Sequence, residues 1–438
     1  MLAVLILTLV AQAGGLSWAV KRGDLGAARA FLAVGADPNY EDHNLLTPLD
    51  YAVMNDRPEM AALLLDAGAD GNITRGGLTL LQYAINKNLG DLVDVLLDHG
   101  ADVNARTLNG DSTPLDFAVL RGSLPLTKLL IDHGADVSAS DSAFGAPLLI
   151  ASNRGFTGIA RLLLQKGADP NARDTDGIGP IDVVARRGDS QIARLLMDAG
   201  AKLNIPRADS GATPLDAAAI NGHSAVAELL LAHNADVTIK DKAGLTPLEN
   251  AVRSHHTEVA RMLIVQQKGT ATAGRMLEHA VLKDWPDMVE MLLANGADLK
   301  TSSSSGSTAL HDAALKGYDV IVTLLLAKGA DVNVRNASGA TPLHDAALNG
   351  KASAVAILLQ HGADINARET ESGTTALYAA ASLGRDDVAA LLLEKGADPN
   401  IRNKDGASPL HAALAGGYRG IADSIRARGG RDLAPSAR

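Results

Sequence analysis

The residues best suited to chemistry are histidines beside acids. His311-Asp312 and His344-Asp345 stand 33 residues apart. Imidazole next to carboxylate is the material of a metal site or an acid–base pair. His255 and His256 are adjacent, so on a helix they point to different sides and make poor joint ligands. Asp50, Asp116, Asp182, Asp216 and Glu249 form a row of carboxylates at recurring spacing. Gly269 and Gly274, in Gly-Thr-Ala-Thr-Ala-Gly-Arg275, carry the glycine spacing of a phosphate loop, but the Lys-Ser/Thr pair is missing and no strand pattern precedes them. There is no His-Glu-x-x-His, and no cysteine to supply a thiolate nucleophile, a metal ligand or a disulfide. Asn72-Ile-Thr and Asn336-Ala-Ser are glycosylation sequons, meaningful only in a eukaryotic secretory path. No set converges on a catalytic constellation. No catalytic residue, cofactor or metal is expected.

Composition limits what could position such residues. The chain has 438 residues, 47% hydrophobic, with 43 glycines but only 2 Trp, 6 Tyr and 4 Phe. A formal charge of −10 argues against a general nucleic-acid binder, which needs a basic face. A core of Ala and Leu with few rings suits short, close-packed helices, and the glycines suit many turns. Both point to a repeat.

A delimiter does recur. It reads Gly35-Ala-Asp37-Pro-Asn39, Gly68-Ala-Asp70, Gly100-Ala-Asp102-Val-Asn104, Gly134-Ala-Asp136, Gly167-Ala-Asp169-Pro-Asn171 and Gly200-Ala-Lys202. It continues as Asn234-Ala-Asp236, Gly296-Ala-Asp298, Gly329-Ala-Asp331-Val-Asn333, Gly362-Ala-Asp364 and Gly396-Ala-Asp398-Pro-Asn400. Neighbouring delimiters lie 32 to 34 residues apart, except for one gap of 62 between positions 234 and 296, which a degenerate unit fills. Thirteen units account for nearly all of the chain. Most carry a helix start such as Thr47-Pro48-Leu49-Asp50, Thr113-Pro114-Leu115-Asp116, Thr213-Pro214-Leu215-Asp216 or Thr341-Pro342-Leu343-His344. Threonine is a good N-cap, proline fits the first helical position, and an acid at the third can bond back to the cap. This capping role explains the row of carboxylates without chemistry. A second helix follows, as in Val355-Ala-Ile-Leu-Leu359, and Gly362 supplies the positive φ that ends it.

The pattern resembles the ankyrin repeat over roughly residues 15 to 430, with related motifs at Thr308-Ala-Leu-His311 and Ser408-Pro-Leu-His411. The resemblance implies an all-α solenoid of stacked helix–turn–helix pairs with projecting β-hairpin fingers. It also implies that His311 and His344 serve in helix-cap hydrogen bonds. Helix spacing of about 8–10 Å makes such a stack on the order of 100–130 Å long, curved, with no single central core. The finger asparagines Asn39, Asn104, Asn333 and Asn366 resemble sites hydroxylated in eukaryotic ankyrin proteins, but a structural turn role is preferred.

The expected organisation is a signal peptide at 1–13, an N-terminal capping repeat at 14–40 and repeats two to eight at 41–267. A degenerate repeat without its finger (268–300), repeats ten to thirteen (301–430) and a tail (431–438) follow. Residues Gln266 to Arg275 replace a finger and a helix cap. They read as a hinge between blocks of eight and five units, or as a decayed repeat that still stacks; the second is preferred because Ala280, Leu292 and Leu293 are kept. Leu2 to Val10 is an apolar run before Ala11-Gln12-Ala13, a small-x-small cleavage pattern. It lacks a basic n-region, so a misplaced start or an extra capping helix stays open. A cleaved signal places the mature chain in the periplasm or outside the cell, since the abundance of Ala, Gly and Arg looks bacterial. Without one, it is cytoplasmic. Nothing else is long enough to cross a membrane.

Counting 17 back from each delimiter glycine reaches one register position on the inner helix: Tyr51, Tyr83, Phe117 and Ile150, then Val183, Ala217, Asn250, His279, Asp312, Asp345, Ala379 and Ala412. Met54 and Leu120 lie one turn beyond Tyr51 and Phe117, and Phe144 sits on a neighbouring finger. The resemblance places this position on the concave face that the family uses for binding. Large apolar side chains there are the makings of an interface, with Asp42, His43, Asn109 and Asp176 on the rim. The competing reading is that these rings pack between stacked helices. The expected function is a non-catalytic scaffold, likewise expected to be monomeric, that holds a protein partner. A secreted effector engaging a host protein and an enzyme with its site in the groove are the alternatives.

Overall fold

The computed structural model describes residues 14–108, 112–139, 145–267 and 271–434. The chain divides into two compact units, Met1–Gly244 and Leu245–Arg438. The first holds seven helix pairs, from Leu16–Arg22 with Leu25–Ala33 to Pro214–Asn221 with Ser224–Ala232. The second holds six, from Pro247–Arg253 with Thr257–Gln267 to Pro409–Ala415 with Arg419–Ala427. Within each unit the first, inner helices of successive pairs pack on one another, and so do most of the second, outer helices.

Local chemistry explains each pair. The helix Pro48–Met54 starts at Thr47, whose hydroxyl accepts the Asp50 N–H while the Asp50 carboxylate accepts the Thr47 N–H. Thr79 with Gln82, Thr113 with Asp116, Thr213 with Asp216 and Thr246 with Glu249 repeat this box. At Gly179, which has no hydroxyl, half the box remains, with the Gly179 N–H donating to Asp182 at 2.8 Å. Delimiter residues end the outer helices in the left-handed region. Gly362 has φ 88°, and Asn234 manages the same turn at 62°, as its short polar side chain allows.

The core is a row of small contacts. Ala52, Ala84, Ala118 and Ala151 are fully buried where inner helices meet, with Leu64, Leu96, Leu130 and Leu163 behind them. Alanine lets helix backbones approach closely, so the array has little use for rings.

The fingers differ from the β-hairpins expected. Among the described residues only Thr74–Arg75 and Leu78–Thr79 form a strand pair, with one isolated bridge from Ser302 to Thr308. Most fingers close with a short-range backbone bond instead, such as Asp42 N–H to Leu46 O at 3.0 Å or Asn336 N–H to Ala340 O at 3.0 Å.

Asparagines tie one repeat to the next. The carboxamide oxygens of Asn39, Asn72, Asn104, Asn171 and Asn204 accept the N–H of Asp70, Asp102, Asp136, Lys202 and Asp236 at 2.7–2.9 Å. In the second unit Asn333, Asn366 and Asn400 bind the N–H of Asp364, Asp398 and Arg431 at 2.8–2.9 Å. The expected turn role of these asparagines is thus extended by a second one, holding successive delimiters together.

The degenerate repeat lies inside the second unit. Its helix Ala271–Leu282 packs against Pro247–Arg253 on one side and Ala309–Lys316 on the other. The division between compact units falls at Gly244/Leu245, one repeat earlier than the Gln266–Arg275 deletion. Residues 1–13, where the signal peptide is expected, lie outside the described residues.

Candidate protein-binding face

The register position carries more than the expected residues. Counting 17 back from Gly35, the first delimiter, reaches Trp18. It stands on Leu16–Arg22 as Tyr51 stands on Pro48–Met54, one residue before a fully buried alanine, Ala19 or Ala52. Trp18 is 52% exposed. Four successive inner helices therefore present Trp18, Tyr51, Tyr83 and Phe117. The last three are half-buried, Met54 one turn on is 52% exposed, and Leu120 is half-buried.

The stripe ends after Phe117. Ile150 is only 4% exposed and so offers almost no surface to a partner. It packs at a cleft of about 220 Å³ with Leu149, Ile178 and Val183. Phe144 and the rim residue Asn109 lie outside the described residues. Of the other rim residues, His43 and Asp176 are exposed and Asp42 is half-buried.

Asp42 anchors the first rings. Its carboxylate accepts the Tyr51 hydroxyl at 2.6 Å and the Lys21 ammonium at 3.0 Å. Lys21 also sits 4.1 Å from the Tyr51 ring centroid. Burial opposes ionisation of Asp42, but Tyr51, Lys21 and the N–H groups of Asn44 and Leu46 outweigh it and hold the carboxyl far below its ordinary range. A cleft of about 280 Å³ opens here between Trp18, Tyr40, Lys21, Asp42 and His43. An aromatic side chain with a pocket beside it is the geometry of an interface anchor.

The second unit puts different chemistry in the same register. Asp312 and Asp345 stand on adjacent inner helices, Ala309–Lys316 and Pro342–Leu348. Burial, with the charge of Glu278, pushes Asp312 up to about 6. Burial, with the charges of Asp312 and Glu369, pushes Asp345 up to about 7. A raised carboxyl favours the folded state below its unfolded value of 3.8, and that contribution is lost as pH rises through 6 to 7. Water screens part of the penalty at these half-buried groups. Asp345→Asn is therefore expected to stabilise the second unit by roughly 1–2 kcal/mol at pH 8 and to change nothing at pH 4. Urea unfolding at the two pH values measures this, and equal shifts at both would refute it.

The neighbouring histidines cap helices. His311 Nδ1 accepts the Thr308 N–H at 3.2 Å, and Nε2 donates to Ala340 O at 3.2 Å. His344 repeats this with Thr341 at 3.2 Å and Thr374 O at 3.1 Å. Burial holds both imidazoles below their ordinary value, in keeping with neutral rings. Both nitrogens of each ring are engaged, so neither is free for a metal or a substrate proton. Asp94, Asp98 and His133 lie close together on the surface. There too both ring nitrogens are engaged, by Leu129 O at 3.0 Å and Asp98 at 3.4 Å, and the first of these leads in raising the His133 pKa.

Comparison with known proteins bears on the fold. A family model described as Ankyrin repeats (3 copies) matches residues 16–107, 72–141, 105–174, 148–241, 181–275, 277–369, 325–403 and 368–431. No curated protein matches the chain. Among the described residues no helix is long and apolar enough to cross a membrane. The capped helix pairs, the delimiter turns and the matched residues agree along the chain: it belongs to the ankyrin repeat family, whose members are typically non-catalytic scaffolds for protein–protein interaction.

Proposed function

We propose that the chain is a non-catalytic scaffold that grips one protein partner on the inner-helix face of its first unit. The observation that carries this is the run of Trp18, Tyr51, Tyr83 and Phe117 in one register of four successive helices, with Trp18 and Met54 well exposed. Rings on a rigid array bind with little loss of conformational freedom, so they suit hot spots. The net charge of −10 favours a partner with basic patches, mainly through on-rate and specificity. The scaffold needs no cofactor, no nucleic acid and no second copy of itself.

The test is a pull-down from source-cell lysate with the mature chain as bait, identified by mass spectrometry. A Trp18→Ala/Tyr83→Ala/Phe117→Ala bait is expected to lose what the unaltered bait holds. A partner retained equally by both would count against this face.

The apolar start and Ala11-Gln12-Ala13 support export to the periplasm or beyond. Cell fractionation with N-terminal sequencing tests that. Recovery from the periplasm fits a resident scaffold, and recovery from culture supernatant fits an effector that engages a host protein.

A further inference from the structure

Lys300 interrupts the asparagine ladder at a cleft in the second unit. At eight steps the carboxamide oxygen accepts a delimiter N–H, and at five of them the carboxamide nitrogen also donates to the delimiter glycine carbonyl at 3.0–3.3 Å. In Gly296-Ala-Asp-Leu-Lys300 a lysine takes the asparagine position. The backbone turn is unchanged: the Lys300 N–H donates to Asp298 at 2.9 Å, as the Asn333 N–H does to Asp331 at 2.9 Å. Only the side chain differs. An ammonium has three donors and no acceptor, so it cannot receive the Asp331 N–H. Among the described residues neither the Asp331 N–H nor the Gly329 carbonyl has a hydrogen-bond partner within the chain, and both residues are exposed.

Ser138 and Thr238 also lack the carboxamide; at Lys300 the broken rung faces a cleft of about 560 Å³. Lys300, Gly329 and Asp331 line it together with Leu299, Leu310 and Val334. A water occupies about 30 Å³ of liquid, and a carboxamide fills only a few such volumes. Most of the cleft is left over, with apolar walls suited to whatever chain carries the amide.

We propose that this cleft binds an asparagine side chain of a partner polypeptide. The carboxamide oxygen takes the Asp331 N–H, the carboxamide nitrogen donates to Gly329 O, and apolar residues flanking the asparagine rest on the half-buried Leu299 and Val334. Five of the other rungs show both bonds made from within the chain. This site does not depend on the aromatic face of the first unit.

The test uses the full chain labelled with ¹⁵N-aspartate. The Asp331 amide resonance is assigned by its loss in Asp331→Glu. The probe is acetyl-Ala-Asn-Ala-N-methylamide, which has no other primary amide, and acetyl-Ala-Leu-Ala-N-methylamide is the control. The asparagine peptide is expected to move the Asp331 amide downfield and saturably, and the leucine peptide to leave it in place. Lys300→Asn should supply its own carboxamide. Its Asp331 amide is then downfield without peptide, and it binds the probe at least about ten-fold more weakly, the scale of one lost hydrogen bond. Lys300→Met leaves the rung open and should bind as the unaltered chain does. Three results would each overturn the proposal: equal response to both peptides, undiminished binding by Lys300→Asn, or loss of binding in Lys300→Met. Equal affinity for free acetamide would reassign the cleft to small amides and overturn the polypeptide.

Discussion

Replacing Trp18, Tyr83 and Phe117 together with alanine is expected to weaken partner capture at least about a thousand-fold, or roughly 4 kcal/mol. Each ring stands on its own helix at the same register, so together they define one continuous strip. Truncating a single hot-spot ring costs about 2 kcal/mol or more, and the losses are not additive, so 4 is a floor for three anchors. Tyr51 is left out of the set because its hydroxyl also holds Asp42 at 2.6 Å. Its removal would loosen the first finger as well as the surface. Fold and binding can then be read apart. Far-ultraviolet circular dichroism and the urea midpoint of the variant should stay near those of the unaltered chain, because the alanines beneath the rings, such as Ala19, Ala84 and Ala118, carry the buried contact. A collapsed midpoint would mean that the rings are packing and not a binding face.

How far the sequence reveals this face depends on what kind of signal each residue leaves. Delimiter glycines, Thr-Pro starts and the Ala-Leu pattern are local, so the thirteen helix pairs are legible from the chain alone. The register of Tyr51, Tyr83 and Phe117 is legible for the same reason. Trp18 stands at the same count from Gly35, but it precedes the first finger, in a unit that lacks the full repeat pattern. The burial of Ile150 leaves no such trace, because exposure is set by what the fold brings alongside; Ile178 and Val183 of the next repeat line the same cleft. The ladder is long-range as well. Each asparagine bonds about thirty residues ahead, and its own sequence neighbourhood reports only the turn. The division at Gly244/Leu245 has no marker in composition, since Asn234 still ends its helix as a glycine would.

Asp50→Ala is expected to destabilise the first unit by about 3 kcal/mol. Asp50 is 1% exposed, and one carboxylate oxygen accepts the Thr47 N–H at 2.7 Å, the Thr47 hydroxyl at 2.9 Å and Arg75 Nε at 3.2 Å. Alanine removes the acceptor and leaves all three donors. Arg75 keeps Glu41 at 2.9 Å on the surface and so loses less. The Thr47 N–H is buried and has nowhere to turn, which costs about 1–3 kcal/mol, and weakening the cap adds about 1. Asp50→Asn keeps an acceptor for Thr47 and should recover most of the loss. The effect should also be local. In a stacked array each pair is held mainly by its neighbours, so weakening the second pair frees the first. With Trp285→Phe as background, Trp18 is the only tryptophan, and its fluorescence should report an early transition at lower urea than the loss of total helix. A single transition with a shift below about 1 kcal/mol would show that the box is dispensable. An early one would tie the buried carboxylate to function, because the pairs that melt first carry Trp18 and Tyr51.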